Sequence, residues 1–192
     1  PQEHDMYPFV QGDQLNWRYE VILHISNGDN SVVFKCLDHK VGIYVAVKIF
    51  YNNDIGYLHG RKELQILSHL HKRDMYLISN IPYIMDTFFC HEHICIVYNL
   101  FSINLHQWIL LNNHYHASPH VIRRILAQVL LPIGFLHMNN FVHGDIKLSN
   151  IVFVFPHRSY IQLCDFSNCI ARNSTVNTLQ LTPQYLPPEA LL

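Results

Sequence analysis

From Tyr19 onward, apolar and polar positions alternate in short runs. YEVILHIS, SVVFKCLD and YVAVKIF are rich in β-branched and aromatic residues and are separated by the turn signals NGDN and HKVG, which predicts an antiparallel meander. The period then changes. After Gly60, the run RKELQILSHLHK places Leu64, Leu67 and Leu70 at helical spacing, with Ile66 beside them. IMDTFFC at 84–90 and HICIVY at 93–98, joined at His91-Glu92, add two strands and complete a five-stranded sheet. LHQWILLNN then reads as a short helix and SPHVIRRILAQVLLPIGFLHMNN as a long one. Ser118 caps the long helix with Pro119 in its first turn, and Val121, Ile122, Ile125, Val129, Ile133 and Leu136 form an apolar face. Pro132 conflicts with this helix, since a mid-helix proline removes a hydrogen bond and costs about 3 kcal/mol. IVFVF and IQLCD predict a strand pair, whereas residues 1–16 lack a clear period and read as an N-terminal arm.

Composition narrows the class. The 192 residues are 49% hydrophobic and 14% charged, enough to bury a substantial core. A net charge of −1 and the lack of a basic cluster argue against direct nucleic-acid binding or a membrane surface. No apolar run is read as approaching the roughly 18 residues that span a bilayer, and PQEHDMYPF does not have the pattern of a signal peptide. These features predict a soluble, intracellular protein, in the cytoplasm or the nucleus. Cys36, Cys90, Cys95, Cys164 and Cys169 form an odd set without a C-x-x-C pair, which favours reduced thiols. Fifteen histidines invite a metal reading, but pairs such as His69/His71, His91/His93 and His114/His116 lack a known ligand spacing.

One stretch concentrates the chemistry. In His143-Gly144-Asp145-Ile146-Lys147-Leu148-Ser149-Asn150, a carboxylate, a lysine and an amide share a short loop, and Asp165-Phe166-Ser167 follows. Such groups suit a polyphosphate and its metal. Asp145 could accept a hydroxyl proton, Lys147 could neutralise a moving phosphoryl group, and Asn150 with Asp165 could hold magnesium.

HGDIKLSN and the later DFS resemble a eukaryotic protein kinase. RYEV, VFKCLDHK, YVAVKI, HICIVY, SINL and VIRRILAQ make the resemblance narrower, to the dual-specificity tyrosine-regulated (DYRK) kinases and their homeodomain-interacting relatives, over residues 17–192. The resemblance implies an α+β, bilobal protein-kinase-like fold, with an N-lobe at 17–98 and a hinge and partial, mainly helical C-lobe at 99–192. It implies ATP and Mg2+ as cofactors and a protein substrate; oligomeric state is not implied. Ser26, Gly28 and Ser31 take the glycine positions of the phosphate loop, ahead of Val33. Ala46 would floor the adenine, Lys48 would reach the α and β phosphates, and Glu63 would pair with Lys48. Tyr98 would be the gatekeeper, Asn99, Leu100 and Phe101 the hinge, and Asn104 a residue near the ribose. Thr182, in T-P-x-Y, would hydrogen-bond the catalytic aspartate and lysine.

Departures from the family pattern qualify this. Gly144 replaces the arginine that receives an activation-loop phosphate, Asn177 and Leu179 replace the tyrosines of the YxY motif, Ser167 replaces the glycine of DFG and Leu186 replaces an arginine before PPE. Because the chain stops three residues after Glu189, it reads as a piece of a longer kinase. The function implied is an ATP-dependent protein serine/threonine kinase, Lys147 matching the serine/threonine class. The alternative is a catalytically impaired pseudokinase acting as a binding scaffold.

Overall fold

The computed structural model describes residues 8–112, 117–155, 160–173 and 183–185. The chain divides into two compact units, one made of Pro1–Ser68 with Tyr83–Leu100 and the other of His69–Pro82 with Phe101–Leu192.

In the first unit, β1 (Gln14–Leu15), β2 (Tyr19–Asn27), β3 (Ser31–Asp38), β4 (Ile43–Phe50), β5 (Ile84–Cys90) and β6 (His93–Asn99) form an antiparallel sheet in the order β1-β2-β3-β4-β6-β5. The sheet has six strands, not the five expected. The extra strand comes from the expected arm: Gln14 and Leu15 pair with Glu20 and Tyr19. Asn16, Trp17 and Arg18 make the turn, with φ of 50° and 55° at Asn16 and Trp17, and the Arg18 amide donates to the Leu15 carbonyl at 3.1 Å. A two-residue strand is too short to show a period, but Leu15 is buried and Phe9 packs against the same core. The β5–β6 turn likewise uses positive φ, at His91 and Glu92.

Alternation gives the sheet two different faces. Leu15, Tyr19, Val21, Val32, Phe34, Val45, Val47, Ile49, Cys95 and Val97 belong to a buried apolar core. Ala46 and Lys48 point the other way, and the register sets Ala46 opposite Tyr98 and Lys48 opposite Ile96. Helix α1 (Asp54–His71) packs on that second face. A Cβ on its Gly60 would lie 3.0 Å from the Phe50 ring and 3.1 Å from Ile94, so only glycine allows this approach without displacement. The helix starts earlier than the apolar period suggests, because the Asn53 side chain caps it by accepting from the Gly56 amide at 2.7 Å. All five cysteines are free. Burial pushes the Cys36 thiol up to about 12.

The second unit contains α2 (Leu105–Leu111), α3 (Pro119–Met138), β7 (Phe141–Val142), β8 (Ile151–Phe153), β9 (Ile161–Leu163) and β10 (Ile170–Ala171). β8 pairs with β9 and β7 with β10, both antiparallel. Leu105, Ile125, Val129, Ile151, Phe153, Ile161 and Leu163 form the core. Among the described residues α3 is the one helix long and apolar enough to cross a membrane by length and composition. That corrects the expectation that no apolar run approaches this length. Ile125, Val129, Pro132 and Leu136 nonetheless form a buried stripe along it, and Ile125 and Val129 pack in the core with β8 and β9.

Pro132 does not end the helix, and its surroundings explain why. Its missing N–H releases the carbonyl of Gln128, four residues earlier, and Asn80 Nδ2 donates to that oxygen at 3.3 Å. The Gln128 side chain accepts from the Ile161 amide at 3.1 Å, and the Asn80 carbonyl accepts from the Leu163 amide at 3.2 Å. The proline therefore sits where the helix is tied to two other segments.

Candidate functional site

In the first unit, the β4 register sends the Lys48 side chain towards α1. Its Nζ lies 2.6 Å from Glu63 Oε2, with the Lys48 side chain 9% and the Glu63 side chain 2% exposed. An isolated charge this deeply buried would be costly, so mutual pairing is required. The Tyr98 hydroxyl donates to the other carboxylate oxygen, Glu63 Oε1, at 2.7 Å. Val33 is paired with Lys48 across the β3–β4 ladder, and Ser26 with Val33 across β2–β3.

The β2–β3 turn is short. The Gly28 amide donates to the Ser31 carbonyl at 2.7 Å, and the Tyr51 hydroxyl donates to the Gly28 carbonyl at 3.3 Å. Ser31 is buried, while Ser26 and Gly28 are exposed. Asn99 is exposed and stands opposite Val45, and Leu100 is half-buried.

In the second unit, Asp145 is the hub of the loop between β7 and β8. Its Oδ2 lies 2.7 Å from Lys147 Nζ. Asn150 Nδ2 donates to the Asp145 carbonyl at 2.8 Å and to Oδ2 at 3.1 Å. His143 braces the loop from below: Nδ1 accepts from the Asp145 amide at 3.3 Å, which assigns the proton to Nε2 and directs it to the Cys164 carbonyl at 3.2 Å. The ring of His143 meets that of Phe166 edge-on at 5.1 Å. The β8–β9 ladder extends through the Cys164 amide, which donates to the Asn150 carbonyl at 2.9 Å. That bond brings Asp165 next to Asn150. Asp165 adopts a φ of 66°, and its Oδ1 accepts from the Ser167 hydroxyl at 2.7 Å.

Two sets of expected residues are thus assembled: Lys48 with Glu63 and Tyr98, and Asp145 with Lys147, Asn150 and Asp165. A carboxylate touching a lysine and an amide, beside a second carboxylate, is a donor set for proton acceptance and for a hard cation. The family model described as "Protein kinase domain" matches residues 19–192. The chain belongs to the protein kinase family.

Within that family it is DYRK-like. It is 33% identical over 190 residues to human "Dual specificity tyrosine-phosphorylation-regulated kinase 4", an alignment covering 99% of this chain and 36% of the relative. It is 32% identical over 190 residues to the Drosophila melanogaster "Putative dual specificity tyrosine-phosphorylation-regulated kinase 3 homolog", covering 99% and 23%. Against the Dictyostelium discoideum "Probable serine/threonine-protein kinase dyrk2" the identity is 29% over 186 residues, covering 97% and 20%. This kinase chain therefore spans about a third or less of the length of these relatives.

Membership implies ATP and a divalent metal in general, and the residues fit that pair. Asp165 offers carboxylate oxygens. Asn150, whose Nδ2 is turned to Asp145, has a carbonyl-type oxygen at the other end of its amide; magnesium takes one or two such ligands together with phosphate and water. Among the described residues no three His, Cys, Asp or Glu side chains gather as a metal cluster.

Asn104 has a structural job that its expected place near the ribose does not require. Its Oδ1 accepts from the Gln107 amide at 2.8 Å while the Gln107 side chain accepts from the Asn104 amide at 3.0 Å, a capping box that starts α2. Phe101, half-buried, lies just before that cap. Thr182, Asn177, Leu179 and Leu186 lie outside the described residues. Sequence reasoning did not find the Tyr98–Glu63 and Ser167–Asp165 bonds. The available signal was chemical: a tyrosine and a serine put a hydroxyl beside a carboxylate that the pattern already marks.

Proposed function

We propose that this DYRK-like chain carries an active protein serine/threonine kinase site, transferring the γ-phosphoryl group of ATP to a protein hydroxyl. The observation that supports it most is the Asp145 carboxylate, held by Lys147 at 2.7 Å and Asn150 at 3.1 Å. In this reading Asp145 accepts the proton of the substrate hydroxyl as its oxygen bonds to the γ-phosphorus and the bond to the ADP oxygen breaks. Lys147 offsets charge on the moving phosphoryl group. Lys48, oriented by Glu63, holds the α and β phosphates beneath the Ser26–Ser31 turn and Val33. Ala46, Tyr98, Asn99, Leu100 and Phe101 face the adenine. Asn150 and Asp165 would hold magnesium, which would neutralise phosphate charge when bound.

The names of two of these relatives contain "Dual specificity", so both hydroxyl classes belong in the assay. The test is phosphate transfer from Mg-ATP to a generic basic protein and to tyrosine-containing peptides, by the wild type and by Asp145→Asn and Lys48→Met. Transfer to serine or threonine that both substitutions abolish is the expected result. Transfer unchanged by both rules out this site.

A second reading, a pseudokinase scaffold, is favoured by one observation: the Ser167 hydroxyl donates to an oxygen of Asp165, the carboxylate that would hold a metal. Its signature would be partner binding retained without any magnesium-dependent nucleotide effect on melting temperature.

A further inference from the structure

We infer that Tyr98 is a positioning residue, whose hydroxyl fixes the carboxylate of Glu63 so that Glu63 in turn fixes Lys48. This rests on the kinase reading above and goes beyond the lining role expected of Tyr98. Tyr98 stands one residue from the end of β6, opposite Ala46, and is buried. Pairing places its side chain on the same sheet face as Lys48, the face against α1. Glu63 is thereby held from two strands, by Lys48 of β4 on Oε2 at 2.6 Å and by Tyr98 of β6 on Oε1 at 2.7 Å.

The two donors are not equivalent. A lysine ammonium on a flexible stem is a point charge that sets a distance and leaves the carboxylate plane undetermined. A phenol on a rigid ring, with its base in a paired strand, adds the second point that sets the plane. Without it, Glu63 loses one of these two anchors in a site where it is almost wholly desolvated, and Lys48 gains freedom to leave the phosphates.

Tyr98→Phe keeps the ring and removes only the hydroxyl. Two readouts test it on the protein. The first is steady-state phosphate transfer: kcat/KM for ATP falls about tenfold, the scale of one lost hydrogen bond to a charged group, with the melting temperature nearly unchanged. In a Glu63→Ala background the same change costs less than about twofold, because the carboxylate it acts on is gone. The second readout needs no catalysis. Lys48 acetylation by acetic anhydride, followed residue by residue by mass spectrometry, speeds up severalfold in Tyr98→Phe, while Lys35 and Lys40 keep their rates.

Equal Lys48 reactivity in the two proteins overturns the inference, as does a kinetic loss fully additive with Glu63→Ala. If the wild type transfers no phosphate that Asp145→Asn abolishes, the kinase reading fails instead, and Lys48 reactivity alone decides the role of Tyr98.

Discussion

A Cβ on Gly144 would lie 2.5 Å from the carbonyl oxygen of Asn168, and Gly144 itself has a φ of 81°. A side chain there would be strained and would have to displace the Asn168 backbone. The arginine that many kinases carry at this position would not fit this loop without shifting the Asn168 backbone. Gly144→Ala is expected to destabilise the protein by about 2–3 kcal/mol, combining left-handed strain with overpacking, as read by urea unfolding. Gly144→Arg should be at least as damaging and should restore no response to phosphorylation.

Ser167 lies two residues from Asp165 and spends its hydroxyl on Asp165 Oδ1 at 2.7 Å. Ser167→Gly removes the hydroxyl's bond to that oxygen and restores the family's glycine. The expected outcome is tighter magnesium-dependent nucleotide binding, measured by titrating magnesium at fixed nucleotide. Stability should fall by about 1 kcal/mol, from the lost bond and the added backbone freedom.

Much of this was legible because chemistry in this fold recurs at fixed spacings. Lys48 and Glu63 sit on a strand and a helix whose periods show in the sequence, and Asp145, Lys147 and Asn150 share one loop, so local pattern placed them. What escaped depends on contacts between distant segments. β1 is two residues long, and no period fits in two residues. The Tyr98–Glu63 bond depends on a register that no local window contains. The partner that tolerates Pro132 is Asn80, 48 positions from Gln128. Asn104 carried a cap signal, Asn-x-x-Gln, that the resemblance overshadowed.

Arg18 binds three oxygens with one guanidinium. Its Nε and Nη2 donate to the two oxygens of Asp38 at 2.8 and 2.7 Å, and its Nη1 donates to Asp86 at 2.9 Å. Hydrogen bonding from Arg18 holds the Asp38 carboxyl below its ordinary value. Because the folded pKa is the lower one, this stabilisation is fully present above the unfolded carboxylate value of about 3.9 and is lost as pH falls through the folded value. Arg18→Ala is expected to cost about 3 kcal/mol at neutral pH, since it strands the buried Asp38 charge. It should also flatten the acid limb of a melting-temperature profile below about pH 4.

Replacing a mid-helix proline ordinarily recovers about 3 kcal/mol. Pro132→Ala should fall far short of that. The restored amide would compete with Asn80 for the Gln128 carbonyl, leaving net stability within about 1 kcal/mol of the wild type. Asn80→Ala should cost about 1–3 kcal/mol, since it leaves that carbonyl without its donor. Denaturant unfolding of both variants and their double mutant checks the coupling.

Asn80 belongs to His69–Pro82, a stretch that interrupts the first unit in sequence yet belongs to the second. Its partners Gln128 and Leu163 lie well downstream. On the ribosome, then, neither unit matures as a finished bead. The sheet waits for residues 83–100 before β5 and β6 can close it, and the stretch before them, made earlier, waits for strands made much later. Residues 69–82 therefore lack these two bonds until residues 128 and 163 have been made.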